Sequence, residues 1–265
     1  MAKVISFVSV KGGVGKTTIS LEIAICLANE FNKRVLLIDG NISAPNIALY
    51  LDLTHKNSLQ DLLKGESFQR TVYESYNVDV VPAALEHYDQ TDIFRLRRII
   101  EKVKNKYDFI IIDSSPHYSE MIPIVAASEM IFIVTTPDKI TLTTSLKAAR
   151  LAKSQGTPIE GIIINRVKNV PYEVSCEEVE WASSLPVLAK IPEEKKITEC
   201  IFYKQPLIIK EPRSKAAEEI RNLAQAFSGE EKKTNWFLRK ILKNKEAFMR
   251  REQVNREILR RKFMI

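Results

Sequence analysis

The 265-residue sequence lacks any unbroken apolar run of the roughly 18 to 20 residues that a membrane-spanning helix requires. Its amino terminus also lacks the pattern of a signal peptide, because Lys3 is followed by a short apolar run and then by glycines. We therefore expect a cytoplasmic protein. With 45% hydrophobic and 28% charged residues, a chain of this length can bury a full core.

Cysteine is scarce, since Cys26, Cys176 and Cys200 are the only three in the chain. They form no CxxC pair and have no histidine nearby, which excludes a recognisable zinc-binding pattern. We interpret them as reduced structural thiols.

Positive charge is concentrated at one end of the chain. The net charge is +7, and residues 230–265 carry all of it with 12 Lys and Arg against 5 Glu. Residues 1–229 are neutral, because their 28 basic and 28 acidic residues cancel. The composition changes at residues 228–233, SGEEKK. We therefore predict a domain over residues 1–229 and a basic tail over residues 230–265.

Short apolar runs alternate with helical stretches along the first 229 residues. The runs lie at 3–10, 34–39, 78–82, 108–112, 130–136, 159–165 and 186–191, and the main helical stretches at 16–31, 91–106, 141–155 and 213–227. Most runs are too apolar for half-exposed strands. The alternation predicts an α/β fold, with a mainly parallel sheet covered by helices on both faces and a helical C-terminal extension. Ligands bind such sheets at the carboxyl ends of the strands.

A glycine-rich segment, KGGVGKTT at residues 11–18, joins the first predicted strand to the first predicted helix. Glycines let backbone N–H groups converge on phosphate oxygens, and the start of the helix adds the positive end of its dipole. Lys16 offers a charge to the β- and γ-phosphates, and Thr17 offers an oxygen to magnesium. The predicted nucleotide contacts in this loop are Gly12, Gly13, Val14, Gly15, Lys16, Thr17 and Thr18.

The loop departs from the usual GxxxxGK[ST] motif, because Val10 replaces the first glycine and a second lysine, Lys11, opens it. KGGVGKTT resembles the deviant Walker A motif of the MinD and ParA family of ATPases, and the MinD-like branch in particular. The resemblance implies ATP and Mg²⁺ as cofactors and a homodimer that forms on ATP binding. It identifies Lys11 as the lysine that crosses to the partner's nucleotide, with a solvated loop lysine as the alternative.

Further segments are similar to the same family. Residues 108–116, DFIIIDSSP, resemble its Walker B segment, so that Asp113 would hold magnesium through water. Asn165 ends a later strand and matches the family's adenine-recognising asparagine, although an Asx turn is the alternative. Pro192 and Glu193 lie in IPEE at residues 191–194, which resembles the family's IPED turn beside the base. By resemblance, the metal site consists of Thr17, Asp39 and Asp113.

Asn41 stands where the family has the second carboxylate of Asp-x-Asp, two residues after Asp39. That carboxylate orients or deprotonates the attacking water. An amide can hold a water but cannot take its proton, so we predict slow or absent hydrolysis with binding retained. The alternative is that Asn41 is a turn residue and that another group acts on the attacking water. By resemblance, the catalytic residues are Lys11, Lys16, Asp39 and Asn41.

The tail from residue 234 onward contains neither Gly nor Pro and favours helix. Its apolar residues share one stripe at 100° per residue and most of its basic residues lie opposite, an arrangement typical of a basic amphipathic helix. The stripe holds Phe237, Leu238, Ile241, Leu242, Phe248, Met249, Leu259 and Phe263, and the opposite face holds Arg239, Lys240, Lys243, Arg250, Arg251 and Arg261. We expect that the core does not need this stripe.

MinD proteins carry a C-terminal membrane-targeting helix of this general kind, so an anionic membrane surface is the first expected partner of the tail. Lys245, Arg256 and Arg260 interrupt the stripe, which keeps open packing against the domain or a partner helix, and a DNA-binding arm. The leading interpretation is a positioning or switching ATPase with an unidentified protein adaptor, peripheral at the inner face of the cell membrane. The alternatives are a ParA-like partition ATPase that binds DNA and a non-hydrolysing ATP-dependent scaffold.

Overall fold

The structure is a computed structural model that describes residues 1–86, 92–230 and 250–264. In these residues the strands are β1 (Lys3–Val8), β2 (Val35–Gly40), β3 (Tyr73–Ser75), β4 (Val78–Val81), β5 (Phe109–Ser114), β6 (Met130–Thr135), β7 (Ile159–Val167) and β8 (Val187–Pro192). The helices are α1 (Lys16–Phe31), α2 (Ile47–Tyr50), α3 (Leu59–Lys64), α4 (Phe68–Thr71), α5 (Leu96–Val103), α6 (Tyr118–Ala127), α7 (Lys139–Ser154), α8 (Cys176–Ser183), α9 (Lys195–Phe202), α10 (Leu207–Lys210), α11 (Lys215–Ser228) and α12 (Arg251–Phe263). Short 3-10 segments, Ile93–Arg95 and Lys104–Lys106, flank α5.

The strands form one sheet in the order β3-β4-β2-β5-β1-β6-β7-β8. Every neighbouring pair is parallel except β3 and β4. All seven predicted strands are present, and the predicted α/β fold is confirmed. The pattern of apolar runs does not predict β3, because its three residues, YES, contain no such run. It also extended β1 two residues too far, because the chain leaves the sheet after Val8 to form the glycine-rich loop.

Helices cover both faces of the sheet, as the apolar runs predict. All six residues of β2 and of β5 are buried, which requires packing on both sides. On one face, α1 and α11 pack over a cluster in which the rings of Phe132 and Phe227 lie 4.8 Å apart. On the other face, α5 and α6 cover one half of the sheet and α7 covers the other. The three cysteines are buried free thiols.

The C-terminal helix α12 packs against the domain. Leu259 is only 3% exposed and belongs to the same core cluster as α1 and α11. The ring of Phe263 stacks on Phe227 at 5.4 Å and on Phe109, the first residue of β5, at 6.1 Å. The expectation that the core does not need the apolar stripe is therefore wrong for Leu259 and Phe263, because both fill space that the sheet and α11 leave open.

Polar contacts of α12 cover the edge strand β8. Asn255 donates from Nδ2 to the carbonyl oxygen of Val187 at 2.8 Å, and Arg256 donates from Nη1 to that of Leu188 at 3.1 Å. The same Nη1 lies 2.6 Å from Oε2 of Glu219 in α11. Of the alternatives for the tail, packing against its own domain thus applies to residues 251–263.

The remaining tail residues of the predicted stripe and its basic face, from 231 to 249, lie outside the described residues. The boundary at residue 229 remains a prediction from composition. Among the described helices, none combines the length and the apolar character that crossing a membrane would require.

Candidate nucleotide-binding site

The glycine-rich loop runs from the end of β1 to the start of α1. Gly13 and Gly15 have φ angles of +77° and +97°, in the left-handed region that glycine tolerates best. A side-chain carbon on Gly15 would lie 2.2 Å from Nδ2 of Asn165, so this position also lacks room for any larger residue. Since α1 begins at Lys16, its first backbone N–H groups, which have no intrahelical partner, surround the end of the loop. This is the geometry of an anion-binding helix start.

The two lysines of the loop differ in environment. Lys16 is 6% exposed, and its Nζ donates to the carbonyl oxygen of Lys11 at 3.4 Å. Burial lowers the pKa of Lys16, and the nearby charge of Asp113 opposes that effect. Lys11 has an exposed side chain that forms no ion pair with any residue in the described ranges. A buried lysine inside the loop can serve its own nucleotide, whereas the side chain of Lys11 is free to reach outward.

Asp113, at the end of β5, meets the start of α1. Thr17 donates from Oγ1 to Oδ2 of Asp113 at 2.5 Å, and Ser20 donates to Oδ1 at 3.3 Å. Burial raises the pKa of Asp113, against the hydrogen bonds from Thr17 and Ser20 and the charge of Lys16. A hydroxyl and a carboxylate beside a phosphate loop fit Mg²⁺, which takes few protein ligands and completes its shell with phosphates and waters. The described residues contain no cluster of three or more His, Cys, Asp or Glu that could hold a metal ion.

Asp39 is fully buried at the end of β2, beside Asp113 in the sheet register. Its Oδ1 accepts the backbone N–H of Asn41 at 3.2 Å, and its Oδ2 accepts those of Asn46 and Ile47 at 3.0 and 3.1 Å. Burial and the charge of Asp113 raise the pKa of Asp39. In this structure Asp39 shapes the loop at residues 41–46, and its predicted role as a metal ligand remains a prediction.

Asn41 is 6% exposed, and its amide group has a defined orientation. Nδ2 donates to the carbonyl oxygen of Ala44 at 2.6 Å, an acceptor that it shares with Nδ2 of Asn46 at 2.7 Å. Oδ1 is buried and has no hydrogen-bond partner among the described residues. The same loop is tied to α6 through a hydrogen bond from Ser43 to Glu120. Oδ1 of Asn41 is therefore an unpaired acceptor that is available to a ligand or a water.

The ends of β7 and β8 lie at the same edge of the sheet. Asn165 is 6% exposed and donates from Nδ2 to the carbonyl oxygen of Val14 at 2.8 Å. Its amide thus supports the phosphate loop, and its predicted contact with adenine remains a prediction. Pro192 ends β8, and Glu193 is exposed and forms an ion pair with Lys168 at 3.1 Å.

Glu194, which was not among the predicted nucleotide contacts, lies directly after Glu193. Its Oε1 accepts the backbone N–H of Lys215 at 3.1 Å, whereas Oε2 is buried without a partner in the described part of the chain. The sequence contained a signal for it, because Glu194 occupies the last position of the IPEE turn. An unpaired buried acceptor suits a hydrogen-bond donor on a ligand better than the exposed carboxylate of Glu193 does.

Comparison with known proteins places this geometry in a family. A family model described as an AAA domain matches residues 2–149. An uncharacterized ATP-binding protein of Methanocaldococcus jannaschii is 30% identical over 255 residues, with 94% of each chain covered. The sporulation initiation inhibitor protein Soj of Bacillus subtilis is 28% identical over 85% of this chain and 98% of its own.

Solved structures that resemble this chain come from the same group of proteins as its sequence relatives. MinD of Pyrococcus horikoshii, in complex with Mg-ADP, superposes with a TM-score of 0.79 at 31% identity, over 85% of this chain and 95% of that one. The cell division ATPase MinD of Pyrococcus furiosus superposes with a TM-score of 0.78, also at 31% identity, over 84% and 97% of the two chains. The chain therefore belongs to the family of deviant Walker A P-loop ATPases that includes MinD, Soj and the ParA proteins.

Proposed function

We propose that this protein is an ATP-dependent molecular switch, which binds ATP with Mg²⁺, dimerises over the nucleotide and hydrolyses it slowly. The observation that carries the proposal is the combination of a complete phosphate loop with Asn41. The loop supplies backbone N–H groups, Lys16 and Thr17 for the phosphates and Mg²⁺, and Asn41 stands in place of the carboxylate that would help the attacking water to react.

The binding part rests on the chain's own residues. The N–H groups at the start of α1 and Nζ of Lys16 would face the phosphates, and Thr17 with Asp113 would hold Mg²⁺. When bound, Mg²⁺ would neutralise charge on the phosphates. Oε2 of Glu194 is an unpaired acceptor, to which the exocyclic amino group of adenine can donate a hydrogen bond.

Slow hydrolysis follows from the orientation of Asn41. With Nδ2 committed to Ala44, Oδ1 can accept a hydrogen bond from a water and so hold it near the phosphates. An amide oxygen is too weakly basic to take the proton of that water. Positioning persists while proton acceptance is lost, so turnover falls by orders of magnitude and affinity does not.

Dimerisation is proposed to depend on Lys11, because its side chain is exposed and interacts with its own chain only through the charge of Asp138, among the described residues. We expect Lys16→Ala to abolish ATP binding and Lys11→Ala to retain much of it but to lose the ATP-dependent dimer. Isothermal titration measures the first effect, and analytical ultracentrifugation with ATP and Mg²⁺ measures the second. Lys153→Ala, which removes an exposed lysine of α7, is the matched control. An undiminished dimer of Lys11→Ala would remove this assignment.

Association with an anionic membrane is proposed for residues 231–249, on their sequence alone. The basic residues of α12 are less available, because Arg251 pairs with Glu180, Arg256 with Glu219 and Lys262 with Glu160. The test is co-sedimentation with anionic vesicles and with double-stranded DNA, with ATP and with ADP. The variant that replaces Arg239, Lys240, Lys243 and Lys245 with glutamine should lose vesicle binding and keep its fold. Retention on DNA instead of vesicles would favour the partition-type alternative, with an adaptor still to be identified.

A further inference from the structure

Arg166 lies at an irregular point of the sheet, directly after Asn165. In the register of β7 with β8, Ile164 pairs with Lys190 and Val167 pairs with Pro192. Three steps along β7 thus correspond to two along β8, so β7 contains one extra residue there, which defines a β-bulge. Bulges of this kind occur beside active sites, where they redirect a side chain.

The bulge turns Arg166 toward the face of the sheet that carries the phosphate loop. Ile164 and Val167 both pack in the cluster under α7, although they are three residues apart. Regular alternation would separate two residues on one face by an even number. Asn165 and Arg166 are therefore both assigned to the opposite side, where Asn165 contacts Val14 of the loop.

Tyr50 supports this placement from a different element. Tyr50, at the end of α2, and Thr18, the last residue of the phosphate-loop motif, line the same small cavity. Burial raises the pKa of Tyr50, and the positive charge of Arg166 is close enough to oppose that effect. The charge of Arg166 therefore acts on a phenol that shares its cavity with the phosphate-loop residue Thr18.

The backbone of Arg166 is strained in the same place. Its φ is +60°, in the left-handed region that L side chains rarely adopt, and its side chain is exposed. It forms no ion pair with any residue of the described ranges. A strained residue persists only where its surroundings impose it, and such residues concentrate at functional sites.

We propose that Arg166 is a nucleotide-binding residue, whose guanidinium contacts the phosphate chain of ATP held in the same protomer's loop. Guanidinium groups pair well with phosphate oxygens, because their donors form a planar fork. The inference rests on the proposed function of the site, and it adds a cation from the end of β7 to Lys16 from α1.

The test separates strain from function. Arg166→Gly removes both the side chain and the left-handed strain, so its melting temperature should equal or exceed that of the wild type. Its affinity for ATP should fall by about 10- to 100-fold, the loss of one charge-assisted hydrogen-bonded contact. Arg166→Lys, which keeps the charge, should recover part of the affinity, and Arg166→Gln should not.

Lys204→Gly is the matched control, because Lys204 is also an exposed cation with a left-handed φ of +53°. It forms an ion pair with Asp52, which is also exposed, and its loss should leave ATP affinity unchanged. Titration calorimetry with ATP and Mg²⁺ measures all the variants. Wild-type affinity in Arg166→Gly or in Arg166→Gln would overturn the inference. It would also be overturned if the Gly, Lys and Gln variants all melted at a lower temperature and lost ATP affinity equally. Failure of the wild type to bind ATP would instead refute the proposed function.

Discussion

Replacing Asn41 with aspartate exchanges one donor for one acceptor in a buried loop. In the wild type, Nδ2 of Asn41 donates to the carbonyl oxygen of Ala44 at 2.6 Å. In Asn41→Asp an ionised oxygen faces that carbonyl oxygen and the bond becomes a repulsion. The new charge is also buried close to Asp39 and Asp113, both of which burial already disfavours in the ionised form.

The size of the effect follows from these contacts. Leaving a buried group unpaired costs about 1–3 kcal/mol, and a buried charge costs more, so we expect a loss of about 2–4 kcal/mol in the free energy of unfolding at pH 8. For a chain of this size, that corresponds to a melting temperature lower by roughly 5–15 °C. Asn46→Asp is the control, because Nδ2 of Asn46 donates to the same carbonyl from a half-buried position. Asn46→Asp should lower the free energy of unfolding by less than about 1 kcal/mol.

The stability difference between Asn41→Asp and the wild type should grow as the pH rises. The folded state raises the pKa of the introduced carboxyl above its unfolded value, because only the protonated form can donate to Ala44. The variant therefore loses stability relative to the wild type as pH rises through the folded pKa, and the gap closes in acid. Thermal unfolding of both proteins between pH 5 and pH 8 measures this difference. Equal melting temperatures at pH 8 would refute the hydrogen-bond reasoning.

The same variant tests the slow-hydrolysis proposal. At pH 8 and at a temperature where it is folded, Asn41→Asp should release phosphate faster by at least about tenfold in a single turnover, without tighter ATP binding. Brisk hydrolysis by the wild type, or no gain in a folded variant, would mean that another residue handles the water.

Two further predictions concern stability. Arg256→Ala should lower the free energy of unfolding in urea by about 2 kcal/mol, because Glu219 keeps only its 3.4 Å pair with Arg250 and the carbonyl oxygen of Leu188 loses its donor. Arg261→Ala, at an exposed position, should lower it by less than about 0.5 kcal/mol. Equal urea midpoints for these two variants would show that the Arg256 contacts of α12 do not stabilise the domain. Burial raises the pKa of Glu22 to about 7, against hydrogen bonds from the backbone N–H groups of Ile208 and Leu207. The folded protein therefore binds an extra proton between about pH 4.5 and 7, and unfolding free energy falls by about 3 kcal/mol as pH rises through that window. Glu22→Gln should remove this pH dependence of the unfolding free energy. If the variant kept the pH dependence of the wild type, the assignment to Glu22 would be wrong.

Features encoded by contiguous residues were predictable from the sequence. The phosphate loop needs only eight neighbouring residues between a strand and a helix, so its glycines, Lys16 and Thr17 identify it without any tertiary contact. The buried strands also have a local signature, since strands covered on both faces must be apolar throughout. Asn41 stood out for the same reason, as a change in a short motif beside Asp39.

Only the tertiary structure decided which partners these residues have. The carboxylate of Asp39 accepts backbone N–H groups of residues 41, 46 and 47, and Nδ2 of Asn165 donates to the carbonyl oxygen of Val14. The bulge at Asn165 and Arg166 depends on the register between β7 and β8, which no local pattern encodes. The docking of α12 likewise depends on space between the sheet and α11 that exists only after the domain has folded. A local pattern specifies the type of a segment, but the contacts of its side chains depend on distant segments, and here those contacts assign Leu259 and Phe263 to the core.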